Sequence, residues 1–300
     1  MGEELNQHKL EYIVQREEIS LLKDFLLQHK KLSRKSLSSI KHSGKLLVNG
    51  EEVTVRKMLQ EGDKIEVLFP KEEGSQYLVA EPIPLSILYE DEDILVIDKP
   101  AGLCVHPTFS QKSGTLANGI MYHWQQKGVS RTFHAVNRLD RDTSGIVLLA
   151  QHRFSHQQLS IQQKQGTIER RYFALVHGLV EEDYGVIDFP IGRDPNSIVA
   201  RMVREDGQFA RTSFWVKERF KDYTWLELKL DTGRTHQIRV HLSYIGHPLL
   251  GDDLYGGKKE KMKRQALHSY FTRFIHPTLH QQVSFEAELP EDIKQLLLKN

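Results

Sequence analysis

The pattern of apolar and polar positions divides the chain at about residue 70. Before that point, Leu22, Phe25 and Leu26 recur at helical spacing and predict a helix from Ser20, a possible cap, to about Lys30. Ser33 opens a second short helix with Leu37 and Ile40 inward and Ser43-Gly44 as its stop. Leu46 to Val48 reads as a strand, Asn49-Gly50 as a hairpin turn, and Val53 and Val55 as the return. Gly62-Asp63 then turns the chain into an alternating strand, Ile65 to Phe69. The expected unit is two helices on a small sheet. Residues 71–84 (Lys71, Glu72, Glu73, Gly74, Ser75, then Pro82 and Pro84 among them) carry no period and read as a linker.

From Ile87 the pattern becomes strand-rich. ILYEDEDILVIDKPAGLCVHP gives two apolar strands joined by an acidic turn, then a Pro/Gly corner holding Lys99 and His106. The charged octamer RLDRDTSG, Arg138 to Gly145, leads into Ile146–Ala150, an unbroken apolar run expected as a buried strand. A polar helix follows over Ser155 to Gln165, then a strand over Ile168 to Val176 containing Tyr172. Gly185 to Arg211 reads as a loop region with a hairpin, and Leu226, Leu228 and Leu230 alternate on one strand face. Thr235 is placed to cap a helix running to Tyr244, with Ile238, His241, Leu242 and Ile245 inward and Gly246 as its end. Strand alternation of this kind predicts a sheet-rich α/β unit over residues 85–300, beside the small one.

Composition narrows the class. With 39% hydrophobic and 27% charged residues the chain is of ordinary globular make-up. MGEELNQHKLEYIVQ lacks the apolar core of a secretory signal, Asn6 breaks the myristoylation pattern, and no apolar run reaches the roughly 20 residues needed to span a bilayer. Cys104 is alone, so an internal disulfide framework is excluded, and a cytoplasmic location is expected. Net charge is only +1, but between Gln15 and Arg56 nine Lys/Arg face five acids. One end of the molecule is therefore basic. Lys30, Lys31, Arg34, Lys35 and Lys41 cluster around the second predicted helix, either as a solvated basic face or as contacts to RNA phosphates.

Chemistry concentrates in the octamer. Read alone, Arg-x-Asp-Arg-x-Asp before a strand is also the make-up of a surface ion-pair network, yet Thr143, Ser144 and Gly145 suit a loop that presents one carboxylate, Asp140, on a rigid strand. Asp142 is placed to cap the Thr143-Ser144 turn. A glycosidase pair of Asp140 and Asp142 is disfavoured, because positions i and i+2 lie within about 7 Å along one chain and cannot flank opposite faces of a sugar. His106 beside Pro107 is a candidate base, although such a histidine is more often structural. Among 15 histidines, His152/His156 are four apart and His236/His241 five apart, and neither pair has a carboxylate or Cys nearby in sequence to complete a ligand set. No phosphate-cradling glycine motif is present, so neither metal nor nucleotide cofactor is expected.

The stretch LSRKSLSSIKHSGKLLVNGEEV with the later GDKIEV resembles the S4 RNA-binding domain over residues 13–70. EDEDILVIDKPAGLCVHP, RLDRDTSGIVLLA, ERRYFALVHG and TGRTHQIRVHLSYIGHPLLGDDLYG, in that order and closed by LHSYFTRFIHP, resemble RluA/RluD-type RNA pseudouridine synthases with an N-terminal S4 domain. That resemblance implies a catalytic domain on a mixed, largely antiparallel sheet with the active cleft across its middle. It implies Asp140 as nucleophile, Arg239 as the arginine paired with it, Tyr172 as the tyrosine contacting the target base, and Arg138 as an arginine holding the RNA where the base has left. Asn137 stands where many members have histidine. The implied reaction breaks the C1′–N1 bond of a flipped-out uridine, rotates the uracil and rejoins it through C5, with the carboxylate attacking the sugar or drawing off its C2′ proton. Arg239 would keep Asp140 ionised and oriented, and Tyr172 would wall the base and relay a proton. Ribosomal RNA is the expected substrate, transfer RNA and a non-catalytic RNA-binding role being the alternatives, and the expected state is a monomer. Lys258 to Arg264 is either a further RNA contact or a solvated loop.

Overall fold

The computed structural model describes residues 8–72, 74–75, 77–109 and 111–298; residues 1–7, on which the reading of the chain's start rests, and Glu73 of the linker lie outside them. In the small N-terminal unit, β1 (Lys9–Ile13) precedes α1 (Leu22–Asp24), which runs straight into a wider π turn (Phe25–His29); α2 (Arg34–Ser43), β2 (Lys45–Val48), β3 (Glu51–Glu52) and β4 (Lys64–Leu68) follow. The strands form a sheet in the order β1-β4-β2-β3. β1 lies ahead of the boundary expected at Ile13. Leu22, Phe25, Leu26, Leu37, Ile40, Leu46, Val48, Ile65 and Val67 make its core, as their spacing predicts.

Ser33 caps α2 as expected, accepting from the Ser36 amide at 3.0 Å, and Gly44 ends it. Ser20 does not cap α1. Its hydroxyl turns back to the Glu18 carbonyl, and the amides of Leu22 and Lys23 donate instead to the carbonyls of Lys57 and Val55. A neighbouring segment supplies what a capping side chain would have supplied, so Val55 lies off the return strand.

The larger unit comprises β5 (Ser86–Glu90), β6 (Ile94–Lys99), α3 (Leu116–Gln126), β7 (His134–Ala135), β8 (Ser144–Ala150), α4 (Arg153–Gln165), β9 (Glu169–His177), β10 (Tyr184–Asp188), β11 (Ile191–Arg193), β12 (Arg201–Val203), β13 (Arg211–Arg219), β14 (Tyr223–Leu230), α5 (Gln237–Tyr244), β15 (Leu267–Ile275), β16 (Gln282–Glu286) and α6 (Glu291–Leu298). Among the described residues ten of these strands form one sheet, ordered β10-β13-β14-β9-β15-β8-β6-β5, with β16 beside β15 and β7 beside β8. β11 and β12 form a separate hairpin. Every named pairing is antiparallel except β15 with β8, a parallel contact of two register pairs, His268 with Ser144 and Ser269 with Gly145. The mixed, largely antiparallel sheet implied by the resemblance is the sheet observed.

β8 is buried at all seven positions because elements cover both its faces. Val147 and Leu149 join a core with Trp124, Leu226, Leu228 and Leu242, while Ile146 and Leu148 join another with Leu159, Phe274 and Ala287. The units meet at α4, where Phe154 enters the small unit's core and Ser36 Oγ donates to Gln157 Oε1 at 2.6 Å. No helix among the described residues is long and apolar enough to cross a membrane.

Candidate active site

One row of cross-strand neighbours sets the site. It runs Gly185, Phe214, Leu228, Tyr172, Ser269, Gly145, Lys99 across seven strands of the sheet. The octamer enters the sheet at Ser144 and Gly145, two strands from Tyr172, so residues far apart in the chain become near neighbours. Ser269 between them is the strand residue both approach.

The loop carrying Asp140 is gripped along its length. Asn137 bridges β8, its amide donating to the Ile146 carbonyl at 3.1 Å and accepting from the Leu148 amide at 2.7 Å. Leu139 is buried in the main core. Thr143 N–H donates to the Asp140 carbonyl at 3.1 Å and closes the turn. Asp142 does not cap it; the Asp142 carboxylate pairs with Arg141 at 3.0 Å, because the backbone already closes the turn and the arginine is adjacent. Arg264 donates to the Asp142 carbonyl at 3.1 Å. Lys99, fully buried, donates to the carbonyls of Pro100, Leu103 and Arg141 at 2.9, 2.8 and 3.0 Å. Burial pulls its pKa down to about 8. Gly145 has φ +109, and a Cβ there would lie 2.1 Å from the Ser269 carbonyl oxygen.

The Asp140 carboxylate accepts from Arg239 Nη1 at 2.9 Å. Arg239 is held from behind, its Nε and Nη2 donating to the two oxygens of Asp252 at 2.7 and 2.8 Å, and its guanidinium lies 4.9 Å from the Tyr255 ring centre. This bidentate clamp leaves one donor edge for Asp140. Burial opposes the charge on Arg239, but the hydrogen bonds and charges of Asp252 and Asp140 outweigh it and hold the pKa above its ordinary value. Tyr172 is buried on β9, paired across the sheet with Ser269; burial raises its pKa, with Asp140 adding in the same direction. Helix α5, which carries Arg239, is not capped by Thr235, which is exposed. The Gln237 side chain instead ties down the turn ahead of the helix, accepting from the Arg234 amide and the Thr232 hydroxyl, while the Gln237 N–H donates to the Arg234 carbonyl.

Asp140, Arg239 and Tyr172 are thus brought together. Arg138 is exposed at the loop's start, with no carboxylate partner among the described residues. Of the basic set, Lys31, Arg34, Lys35 and Lys41 are exposed, whereas Lys30 pairs with Glu18 at 2.6 Å and lies over the Tyr12 and Phe25 rings. In the 258–264 loop Lys259, Lys261 and Arg264 pair with Asp253, Asp222 and Asp292. His106 packs edge-on against Phe133, away from any carboxylate partner among the described residues. Lys99, Asp252, His236 and Tyr255 are the site residues that sequence reasoning missed. For Asp252 a signal was present, an acid inside GDDLYGG, but nothing in its spacing ties it to Arg239.

One member of each histidine pair, His152 and His236, does acquire a carboxylate neighbour in the fold. His152 Nε2 lies 3.0 Å from Asp93 Oδ1, with His8 close by, and Asp91, Asp93 and His276 form a second group. His8 and His152 are stacked, with ring centres 3.5 Å apart and planes 22° from parallel. A cation at the usual distance of about 2.0–2.1 Å must lie near each ring's plane, which stacked rings do not allow. Asp93 is already taken up by His152, Ser155 and Thr278.

A family model for RNA pseudouridylate synthases matches residues 93–244, which include Asp140, Tyr172 and Arg239. The chain is 52% identical over 267 residues, 89% of its length and 94% of the relative's, to the protein named uncharacterized RNA pseudouridine synthase YjbO of Bacillus subtilis. It is 38% identical over 279 residues to ribosomal large subunit pseudouridine synthase D of Pseudomonas aeruginosa, covering 88% of this chain and 87% of the relative. Among solved structures, human RNA pseudouridylate synthase domain containing 1 aligns with a TM-score of 0.57 at 25% identity, over 73% of this chain and 95% of that one. The chain belongs to the RNA pseudouridylate synthase family, and is an isomerase acting on RNA.

Proposed function

We propose that the protein converts specific uridines of large-subunit ribosomal RNA to pseudouridine, with Asp140 as the nucleophile. The observation that carries this reading is the Asp140–Arg239–Asp252 chain, in which a carboxylate on a rigid loop faces an arginine whose Nε and Nη2 are clamped from behind by Asp252. Such a carboxylate is held ready to attack C1′ or to draw off the C2′ proton, and it can leave again. Tyr172, buried beside it, serves as the wall of the base pocket and as a phenol for proton relay. Arg138 fills the place of the flipped base, and Lys31, Arg34, Lys35 and Lys41 of the small unit take phosphates. The ribosomal substrate is supported by relatives named ribosomal large subunit pseudouridine synthase D, 37–40% identical to this chain.

The test is tritium release from RNA labelled at uridine C5, using ribosomal and transfer RNA pools that lack the modification. Release by the wild type from ribosomal RNA, and none by Asp140→Asn at unchanged RNA affinity, is the expected result. Release from transfer RNA alone would overturn the substrate, and normal turnover by Asp140→Asn would overturn the nucleophile.

A further inference from the structure

Arg239 is not the only donor turned toward Asp140. His236 stands immediately before α5 with φ +59, a left-handed conformation that histidine adopts more readily than most residues but that is still strained. Its Nδ1 lies 2.8 Å from the Tyr255 hydroxyl, which itself accepts the Arg201 backbone N–H at 2.9 Å. A hydroxyl so engaged has one proton to give, and giving it to Nδ1 makes that nitrogen the acceptor. A bare Nε2 lone pair would face the Asp140 carboxylate, so the proton of the neutral imidazole is assigned to Nε2. Burial lowers the pKa of His236; Asp140 opposes this and Arg239 and Arg201 reinforce it. Nε2 lies 3.8 Å from Asp140 Oδ2, beyond hydrogen-bond range, and has no hydrogen-bond partner among the described residues. A strained backbone and a two-step hydrogen-bond relay thus aim an unspent N–H beside the carboxylate.

We propose that His236 is a catalytic hydrogen-bond donor to the uracil, its Nε2–H meeting carbonyl O2 of the flipped base while Asp140 acts on the sugar. The inference rests on the isomerase reading above. When C1′–N1 breaks, its electron pair passes to N1 and spreads onto O2 and O4. O2 sits on the ring carbon bonded to N1, so it is the acceptor nearest the sugar carbon that Asp140 addresses, whereas O4 lies across the ring. His236 stabilises the charge on O2 without surrendering its proton, as an oxyanion donor does. The pair returns as C5 bonds to C1′. The C5 proton then leaves to a base and N1 takes one up, so the uracil ends neutral and His236 unchanged.

The experiment is single-turnover tritium release from the responding RNA, carrying uridine, 2-thiouridine or 4-thiouridine at the target, with wild type, His236→Ala and His236→Gln. Sulfur is a poor acceptor, so 2-thiouridine removes the partner from the substrate side. On uridine, His236→Ala is expected to be slower by about 10²-fold with RNA affinity within several-fold, and His236→Gln, which keeps an N–H, to recover part of the rate. 2-Thiouridine is expected to slow the wild type comparably and to add little to the loss in His236→Ala, while 4-thiouridine leaves the gap between the two proteins intact. Losses that multiply, or a full rate for His236→Ala, would overturn the proposal. Should the alanine variant not fold, equal wild-type rates on the 2-thio and 4-thio substrates would overturn it. A wild type silent on uridine-containing RNA would instead bring down the isomerase reading, a result distinguishable from an active enzyme indifferent to His236.

Discussion

Asp252 is only 1% exposed and touches no part of the cleft directly, yet it decides where Arg239 points. An arginine has five donors in a fixed fork, and without a carboxylate behind it the fork is free to rotate away from Asp140. Breaking one side of a buried ion pair costs about 3–5 kcal/mol, and Asp252→Asn falls toward the lower end because Asp140 still faces the guanidinium. The expected outcome is a drop in urea-unfolding stability of about 3 kcal/mol and a turnover loss of roughly 10- to 100-fold with RNA affinity largely unchanged. A variant with wild-type rate would mean that Asp140 alone orients the arginine. Asp140 and Tyr172 stand in blocks that mark them, whereas Asp252 acts through a partner 13 positions away across a turn and the tip of a helix, which no spacing rule connects.

At the scale of elements, the site depends on strands coming closer than side chains normally permit. Gly145 combines φ +109 with a Cβ position 2.1 Å from the Ser269 carbonyl, so Gly145→Ala must push β8 from β15 or twist the octamer. Loss of about 4 kcal/mol or more in thermal unfolding, together with loss of tritium release, is the expected effect; an active, stable alanine variant would show the contact to be dispensable. The strands themselves were legible, since β8 is an unbroken apolar run and β14 alternates. The helix starts were less so. Ser20 and Thr235 have the right chemistry for caps, but the carbonyls of Val55 and Lys57 satisfy the first helix's end from elsewhere in the fold, and the first amide of α5 donates to the Arg234 carbonyl. A cap residue states what a helix end needs, and tertiary structure decides who supplies it.

The whole molecule is two units joined through α4, and their joint is sensitive to acid. Burial pulls the pKa of His8, stacked on His152 at that joint, down to about 3, and that of His268 under the octamer down to about 4. Both lie below the free value of about 6.5, so below that pH the unfolded chain binds protons that the folded chain refuses. Stability is therefore full above about pH 6.5 and is lost as pH falls toward 4, at about 1.4 kcal/mol per unit for each histidine. His8 Nε2 is also buried without a hydrogen-bond partner, so His8→Phe, keeping the stack and removing the charge, is expected to flatten the melting-temperature profile between about pH 6.5 and 4 without loss at neutral pH. An unchanged slope would place the acid sensitivity elsewhere. Because Phe154 of the larger unit completes the small unit's core, deleting the first 70 residues bares apolar surface, and charge removal is the cleaner probe of RNA binding. Replacing Arg34, Lys35 and Lys41 by alanine is expected to weaken affinity and to reduce the slope of log K against log salt by about 0.7–0.9 for each phosphate that is no longer neutralised, with single-turnover chemistry intact at saturating RNA. Finally, β15, near the end of the chain, occupies the middle of the sheet between β9 and β8. During synthesis the gap between those two earlier strands stays open until residues beyond 267 have left the ribosome, and across that gap Asp140 and Tyr172 are not yet neighbours. On the proposed reading the centre is assembled last, so a nascent or truncated chain lacking β15 is expected to hold RNA through its basic end without altering it.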